Sequence, residues 1–362
     1  MTNLTNDLIA IPSVLMRGGT SKGPLFHFKD LPSDPAERDR VLLAALGSPD
    51  RRQIDGVGGG DTLTSKVCIV GPSSREDADV EFLFAQVSVD RAEVDTGPTC
   101  GNMTATVGPF ALEEGLVPIT GDETIVRIYN LNVGARVDAV IQTPGGRVCY
   151  SGDARIDGVP GTAAPQVLRF RDIMGSKCKS MLPTGQAQEV IQGVPVTCID
   201  VAMPMVIMRA ADLGKTGYET PQELDADTAL LARMEQIRQE ASQRMGLGDC
   251  TGKVTPKLAL IAAPRDGGSI TSRYFVPHKA HAAHAVTGAI CVASCAALKG
   301  SVAEGLTVME DKPMQWVKIE HPSGSIDVEL AVEGSGANLA VVSGGVVRTA
   351  RRLMAGNLYI QK

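Results

Sequence analysis

The chain has 362 residues, too many for one ordinary hydrophobic core and about right for two domains. Hydrophobic residues make up 43% and charged residues 21%, as in folded globular proteins, and the formal net charge is −6. This charge argues against nucleic acid or anionic membranes as partners. No stretch reaches the ~18 apolar residues of a membrane span, and residues 1–11 lack a signal-peptide pattern. We therefore expect a cytoplasmic protein.

The first notable feature along the chain is a glycine-rich loop at residues 16–23, M-R-G-G-T-S-K-G. Its backbone N–H groups, with the side chains of Arg17, Thr20, Ser21 and Lys22, are candidates for binding an anion such as a carboxylate. A nucleotide-binding loop would need the spacing G-x-x-x-x-G-K-[ST], which is absent here. A plain tight turn is the alternative interpretation.

The next feature is a lysine within an apolar strand. A helix is predicted over residues 35–46, and a second glycine-rich loop at 55–61 leads into a strand predicted at 62–70, which contains Lys66. A lysine there is costly unless it faces solvent or a cleft. An edge strand is the ordinary explanation, whereas a partly buried Lys66 could exchange protons near neutral pH.

Cys100 is the candidate nucleophile or proton carrier. After a strand predicted at 79–89, a third glycine-rich loop, T-G-P-T-C-G-N at 96–102, opens a helix predicted at 102–114. Unpaired N–H groups and the positive dipole end at a helix start favour a thiolate. A hydrolytic cysteine would also need a histidine base, and no pattern marks one. The other seven cysteines fit reduced, buried thiols.

The middle of the chain is rich in strand patterns. Strands are predicted at 124–129, 135–142 and 147–150, the last two joined by a hairpin at 143–146. These are antiparallel patterns, without the strand-then-helix rhythm of a parallel sheet. A polar, turn-rich stretch at 182–186 marks the predicted boundary between domains 1–185 and 186–362.

The C-terminal half begins with an amphipathic helix predicted at 222–245 and ends with a hairpin of strands at 316–320 and 325–332. Between them, His278, His281 and His284 are spaced too widely for one metal ion, so we predict no metal site. We instead expect Arg273, His278, Lys279 and His281 to help bind a carboxylate. Surface or packing roles are the alternative.

The helices predicted at 102–114 and 288–299 share an unusual composition. Each is apolar or small on nearly every side and follows a small-residue loop, which places both helices in the interior. The sequence therefore predicts an α+β fold of two similar halves, each with a buried helix wrapped by antiparallel strands.

Several motifs together resemble a known family. They are L-M-R-G-G-T-S-K-G at 15–23, D-G-V-G-G-G-D-T-L-T-S-K-V at 55–67, T-C-G-N at 99–102, H-K-A-H at 278–281 and R-T-A-R-R-L-M-A-G at 348–356. In this order, over nearly the whole chain, the sequence resembles the 2-methylaconitate cis–trans isomerase family. Within that family it is most similar to the 4-oxalomesaconate tautomerases and isomerases of aromatic-acid (gallate, protocatechuate) breakdown.

The resemblance implies a diaminopimelate-epimerase-like fold, with a central helix inside an antiparallel barrel in each domain and the active site in the cleft between the domains. It implies no metal and no cofactor. The lysine of S-K-V and the cysteine of T-C-G-N, here Lys66 and Cys100, would form the acid–base pair, and Gly101 and Asn102 would contact the substrate. Epimerases of this fold use a second cysteine, which H-A-V-T-G at 284–288 lacks.

The expected activity is therefore a cofactor-independent proton shift in 4-oxalomesaconate, either a 1,3-allylic isomerisation or a keto–enol tautomerisation. The substrate partner would be a small polycarboxylate, and we expect a homodimer. The alternative substrate is 2-methylaconitate. A non-catalytic protein that binds small polycarboxylates is the alternative from another class, since it would need the cationic loops but not Cys100.

Overall fold

The computed structural model describes residues 7–276, 278–310, 312–334, 336 and 339–362. The chain divides into two compact units, unit 1 (Met1–Leu168 with Val347–Lys362) and unit 2 (Arg169–Val346). The sequence also predicts two domains, but this division differs from the predicted boundary at residue 185. It lies at residue 168, and the C-terminal segment returns to unit 1 because it pairs with the first strand of the chain.

Unit 1 contains two helices and most of the N-terminal strands. In chain order its elements are β1 (Leu8–Gly18), β2 (Ser21–His27), α1 (Pro35–Leu46), β3 (Lys66–Pro72), β4 (Val80–Val87), β5 (Val94–Asp95), α2 (Gly101–Glu113), β6 (Glu123–Asn130) and β7 (Ala135–Gln142).

The strand β8 (Gln166–Arg171) crosses the unit boundary. Unit 2 then contains three helices, and the chain ends on a strand of unit 1. The elements are β9 (Glu189–Ile191), β10 (Val194–Asp200), β11 (Pro204–Arg209), α3 (Pro221–Ala226), α4 (Thr228–Arg244), β12 (Lys257–Ala262), β13 (Ile270–Phe275), α5 (Val286–Ala297), β14 (Met314–His321), β15 (Gly324–Glu333), β16 (Ala340–Arg348) and β17 (Ala350–Gln361).

The two units repeat one pairing pattern. In unit 1, β1–β2, β3–β4 and β6–β7 pair antiparallel, while β2–β3 and β4–β6 pair parallel. In unit 2, β10–β11, β12–β13 and β14–β15 pair antiparallel, while β11–β12 and β13–β14 pair parallel. Most of these pairs are antiparallel, as expected, and the sequence patterns did not indicate the four parallel pairs. Each parallel pair is joined by a connection that contains a helix, and such crossovers bring strands back parallel.

A buried helix lies at the centre of each unit. Helix α2 contacts β1, β2, β3, β4, β6, β7 and β17, and every residue from 103 to 112 is buried. Helix α5 contacts β10, β11, β13, β14 and β15, with residues 288–295 buried. A helix surrounded by strands must be apolar on all sides. The predicted diaminopimelate-epimerase-like α+β fold is confirmed.

Some predicted elements differ locally. Residues 147–150 form no strand, because 143–146 closes as a single 3-10 turn instead of a hairpin. The predicted helix at 222–245 is split into α3 and α4 at Asp227, whose carboxylate caps α4 by accepting the Leu230 N–H at 2.9 Å. The hairpin at 321–324 is confirmed, with His321 paired to Gly324. Among the described helices, none is long and apolar enough to cross a membrane.

Candidate active site at the start of helix α2

Cys100 is the N-cap residue of α2, as predicted. Its backbone is extended, with φ −133° and ψ 103°, and its carbonyl oxygen accepts hydrogen bonds from the N–H and the hydroxyl of Thr104, both at 2.9 Å. The side chain makes no capping hydrogen bond, and the residue is half-buried. The thiol therefore sits at the positive end of a buried helix without being used to cap it.

Lys66 is the first residue of β3, because residues 62–65 of the predicted strand form a turn. This strand pairs with β2 on one side and β4 on the other, so the edge-strand explanation is wrong. The side chain is largely buried (8% exposed), and its Nζ donates to Oε1 of Gln86 at 2.5 Å. The Gln86 amide is itself fixed, since its Nε2 donates to the Ser65 carbonyl at 2.8 Å. Lys66 is thus held by a neutral acceptor.

Cys68 connects these two residues. It lies two positions after Lys66, on the same face of β3, and its sulfur lies 3.9 Å from the Thr106 hydroxyl and 4.0 Å from the Met103 carbonyl oxygen in α2. Burial raises the pKa of the Cys68 thiol, and Cys100 raises it further while Lys66 opposes the shift. Cys68 therefore stays neutral. Lys66 and Cys100 thus both lie within electrostatic range of the Cys68 thiol, which contacts the first two turns of α2.

The turn between β1 and β2 packs against the start of α2. The Asn102 amide Nδ2 donates to the Thr20 hydroxyl at 2.9 Å. Gly18 permits the close approach, since a Cβ there would lie 2.2 Å from the Asn102 carbonyl oxygen. Ser21 lies opposite Gly18 in the β1–β2 pair, so both residues are on the face of the sheet that packs against α2. It is 1% exposed, and its hydroxyl has no hydrogen-bond partner among the described residues. Thr20, Ser21, Gly101 and Asn102 therefore lie together at the start of α2.

Arg348 is a residue of this site that sequence reasoning missed. It ends β16 in unit 1 and is half-buried. Burial lowers the pKa of its guanidinium, and the Cys100 sulfur opposes that shift, which places this cation within electrostatic range of the thiol. The only sequence signal was its position in R-T-A-R-R at 348–352, a motif that does not reveal which arginine faces inward.

Two predicted binding residues lie elsewhere. Arg17 and Lys22 are opposite each other on β1 and β2. Their neighbours Gly18 and Ser21 face α2, and successive side chains of a strand alternate between faces, so Arg17 and Lys22 point to the opposite face. The expectation that these cations join Lys66 and Cys100 is therefore wrong.

The predicted binding residues of unit 2 do not form one cluster. The Arg273 guanidinium donates to the carbonyls of Glu219 at 2.7 Å and Ser272 at 3.2 Å, and burial lowers its pKa. His281 accepts the Ala283 N–H at 2.9 Å through Nδ1, exposed His278 lies 3.5 Å from Glu235, and Lys279 is exposed. In the part of the chain that the structure describes, no hydrogen bond or ion pair joins these four.

His284 is the buried histidine of this segment, and it was not singled out as a site residue. Its Nδ1 lies 3.1 Å from the Ala285 carbonyl and its Nε2 3.1 Å from the Ser272 hydroxyl. Burial lowers the pKa of His284 to about 3, so the imidazole is neutral at physiological pH. A neutral ring that donates from Nδ1 and accepts at Nε2 satisfies both contacts, and it anchors the loop before α5. No group of three or more potential metal ligands is found among the residues described.

The fold and this site together define a class: a two-unit α+β protein of the diaminopimelate-epimerase-like type, with a thiol and a lysine at the start of one central helix. A family model described as PrpF protein matches residues 8–361. The chain belongs to the PrpF family, which confirms the resemblance carried by the motifs.

Proteins of similar sequence or structure are named tautomerases and isomerases. The 4-oxalomesaconate tautomerase of Pseudomonas putida is 52% identical over 351 residues, covering 97% of this chain and 96% of the relative. The (4E)-oxalomesaconate Delta-isomerase of Novosphingobium sp. is 49% identical over 360 residues, covering 99% of this chain and 100% of the relative. A crystal structure of a methylitaconate-delta-isomerase superposes with a TM-score of 0.91 at 36% identity, covering 98% of this chain and 97% of that structure.

Proposed function

We propose that this protein is a cofactor-independent isomerase that moves a proton within 4-oxalomesaconate, with Cys100 and Lys66 as its acid–base pair. The observation that carries the proposal is geometric: Cys100 is the N-cap of the buried helix α2, and the largely buried Lys66 shares a strand face with Cys68, whose thiol contacts α2. The near-complete coverage by relatives named for 4-oxalomesaconate supports the substrate.

The proposed reaction needs three groups. A base removes a proton from a carbon next to the unsaturated acid, an acid returns a proton at another atom, and donors stabilise the dienolate formed between these steps. In the forward direction the Cys100 thiolate is the base and the Lys66 ammonium is the acid, and the roles exchange in reverse. Either an allylic shift or a keto–enol tautomerisation follows, according to whether the proton returns to carbon or to oxygen.

Groups beside the acid–base pair fit a carboxylate or an enolate oxygen. Helix α2 has no side-chain cap, so the N–H groups of its first residues, Gly101 and Asn102, are available to an anion. The buried Ser21 hydroxyl, which has no partner among the described residues, lies on the face of β2 that packs against α2. An unpaired buried hydroxyl is costly unless a ligand satisfies it. These groups, with Thr20, are the proposed substrate contacts in unit 1.

Other expectations carry over as proposals. Arg273, His278, Lys279 and His281 remain candidates for substrate contact from unit 2, although Arg273 and His281 already bind backbone groups. A homodimer and a cytoplasmic location are also proposed. Light scattering of the purified protein tests the first, and fractionation of the source cells tests the second.

The function is tested by NMR of the purified protein with 4-oxalomesaconate and, separately, with 2-methylaconitate, without added metal. We expect new product signals from 4-oxalomesaconate. Conversion of 2-methylaconitate alone would favour the alternative substrate. If neither compound reacts nor takes up deuterium from deuterated water, the protein is a binder rather than an isomerase.

Chelation is expected to leave the activity intact. Neither proposed proton-transfer group needs a metal, since a thiolate and an ammonium carry the proton themselves. The measurement is turnover of 4-oxalomesaconate before and after extensive dialysis against a chelator. A loss of activity that added divalent metal restores would contradict the cofactor-free proposal.

Arg348 is expected to support the thiolate of Cys100. Replacing it with Gln removes a positive charge near the sulfur, so we expect kcat to fall by about tenfold. Arg348→Lys keeps the charge and should retain more activity than Arg348→Gln. Equal losses in both variants would mean that the charge of Arg348 is not what supports Cys100.

A further inference from the structure

A row of cations crosses the outer face of the unit 1 sheet. Arg17 on β1 lies opposite Lys22 on β2 and opposite Arg351 on β17. Like charges placed directly across neighbouring strands destabilise the sheet. In the part of the chain that the structure describes, none of the three has a carboxylate within ion-pair distance. The next residue, Arg352, shows the contrast, since it pairs with Glu113 and Glu114 at 2.8 Å each.

Within the described residues, hydrogen bonds hold the Arg17 guanidinium at Nη1 only, which leaves the edge formed by Nε and Nη2 free. Its Nη1 donates to the carbonyls of Gly19 and Thr349 and to the Thr349 hydroxyl, each at 3.0 Å. No hydrogen-bond acceptor for Nε or Nη2 exists among the described residues. Burial lowers the pKa of Arg17, and nearby Arg351 lowers it further. An anion bound at the free edge of this guanidinium would complete its hydrogen bonds and offset the repulsion from Arg351.

A cavity lies over these two arginines. Its volume is about 450 Å³, and its walls include Arg17, Arg351, Tyr150, Ser151, Thr162 and Thr349. Its lining, all from unit 1, contains no carboxylate, although the protein carries a net charge of −6. By contrast, a cavity of about 490 Å³ in the same unit mixes Arg51 and Arg91 with four acidic residues. A volume of this size suits a small molecule rather than a single ion.

We propose that Arg17 and Arg351, with the hydroxyls of Ser151 and Thr162, form a second binding site for a small organic polyanion that carries two or more carboxylate or phosphate groups. The guanidinium forks bind the oxyanions in pairs of hydrogen bonds, as arginine does with carboxylate and phosphate. The hydroxyls donate to a second anionic group, and Lys22 adds to the local positive potential. This site is separate from Cys100 and Lys66, because its cations face away from α2.

The test is isothermal titration of the full-length protein at low salt with citrate and with pyrophosphate. We expect at least one of the two anions to bind, and the one that binds more tightly shows whether the site prefers carboxylate or phosphate groups. Arg351→Gln removes an exposed side chain without altering backbone pairing, and it should weaken binding by about tenfold or more. Arg40→Gln, which removes an exposed surface charge on α1, should leave binding unchanged.

Three results would overturn this proposal. The first is no binding of either anion by the unmodified protein at millimolar concentration. The second is equal binding by the unmodified protein and by Arg351→Gln. The third is binding that Ser21→Ala abolishes and Arg351→Gln leaves intact, because that would locate the anion at the start of α2.

Discussion

Replacing Cys100 with Ser is expected to reduce turnover of 4-oxalomesaconate by at least about a hundredfold, and by as much as ~10⁴-fold, the range that a general acid or base contributes. A serine hydroxyl is a far poorer base than a thiolate at neutral pH. The replacement is small, and the half-buried side chain makes no capping hydrogen bond, so the fold should persist. Steady-state kinetics and circular dichroism of the same preparation measure both effects.

Cys68→Ala is the matched control, and Lys66→Met is the companion variant. Cys68 is neutral and buried beneath the site, so its loss should preserve most activity. Lys66→Met removes the acid and leaves Oε1 of Gln86 without its donor, which costs about 1–3 kcal/mol of unfolding free energy. Near-normal turnover by Cys100→Ser, or a loss in Cys68→Ala as large as in Cys100→Ser, would contradict the assignment.

Gly23→Ala is expected to have the largest effect on stability. A Cβ at Gly23 would lie 1.8 Å from the carbonyl oxygen and 2.7 Å from the carbonyl carbon of Lys66. Both are backbone atoms, so β2 and β3 must separate, and Lys66 must move with them. We expect a loss of about 3 kcal/mol or more in the free energy of unfolding, with activity lost in parallel.

The control for this variant is Gly356→Ala on β17. An added Cβ there meets nothing within 4 Å, and the backbone is not left-handed, so we expect unfolding close to that of the unmodified chain. Denaturant unfolding of the two variants side by side measures the difference. A Gly23→Ala protein as stable as Gly356→Ala would show that the two strands are not in such close contact.

Local patterns were sufficient to place the two central helices and Cys100. Both helices are apolar on every side, and the glycine-rich loop before α2 defines its start, so neither feature depends on distant residues. Lys66 was also placed in the correct strand. The face of each strand was harder to predict, because Gly18, Gly19 and Gly23 have no side chains to give a burial pattern. As a result, the sequence did not show that Arg17 and Lys22 lie on the face of the sheet opposite α2.

Long-range pairing explains the other differences. Arg348 lies 248 positions after Cys100 (348 − 100), and it joins unit 1 because β17 pairs with β1. The same pairing adds the C-terminal segment to unit 1. The parallel pairs β2–β3 and β4–β6 form only when helix-containing connections fold back. Local sequence periodicity does not indicate such contacts, because the residues adjacent in sequence are compatible with both parallel and antiparallel pairing.

The most direct test of the acid–base pair is position-resolved deuterium exchange, followed by NMR of 4-oxalomesaconate in deuterated water with each variant. If Cys100 and Lys66 each serve one position of the substrate, Cys100→Ser should lose exchange at one position and Lys66→Met at the other, while each retains some exchange at the remaining position. Loss of exchange at the same position in both variants, or normal exchange at both positions in Cys100→Ser, would contradict the account.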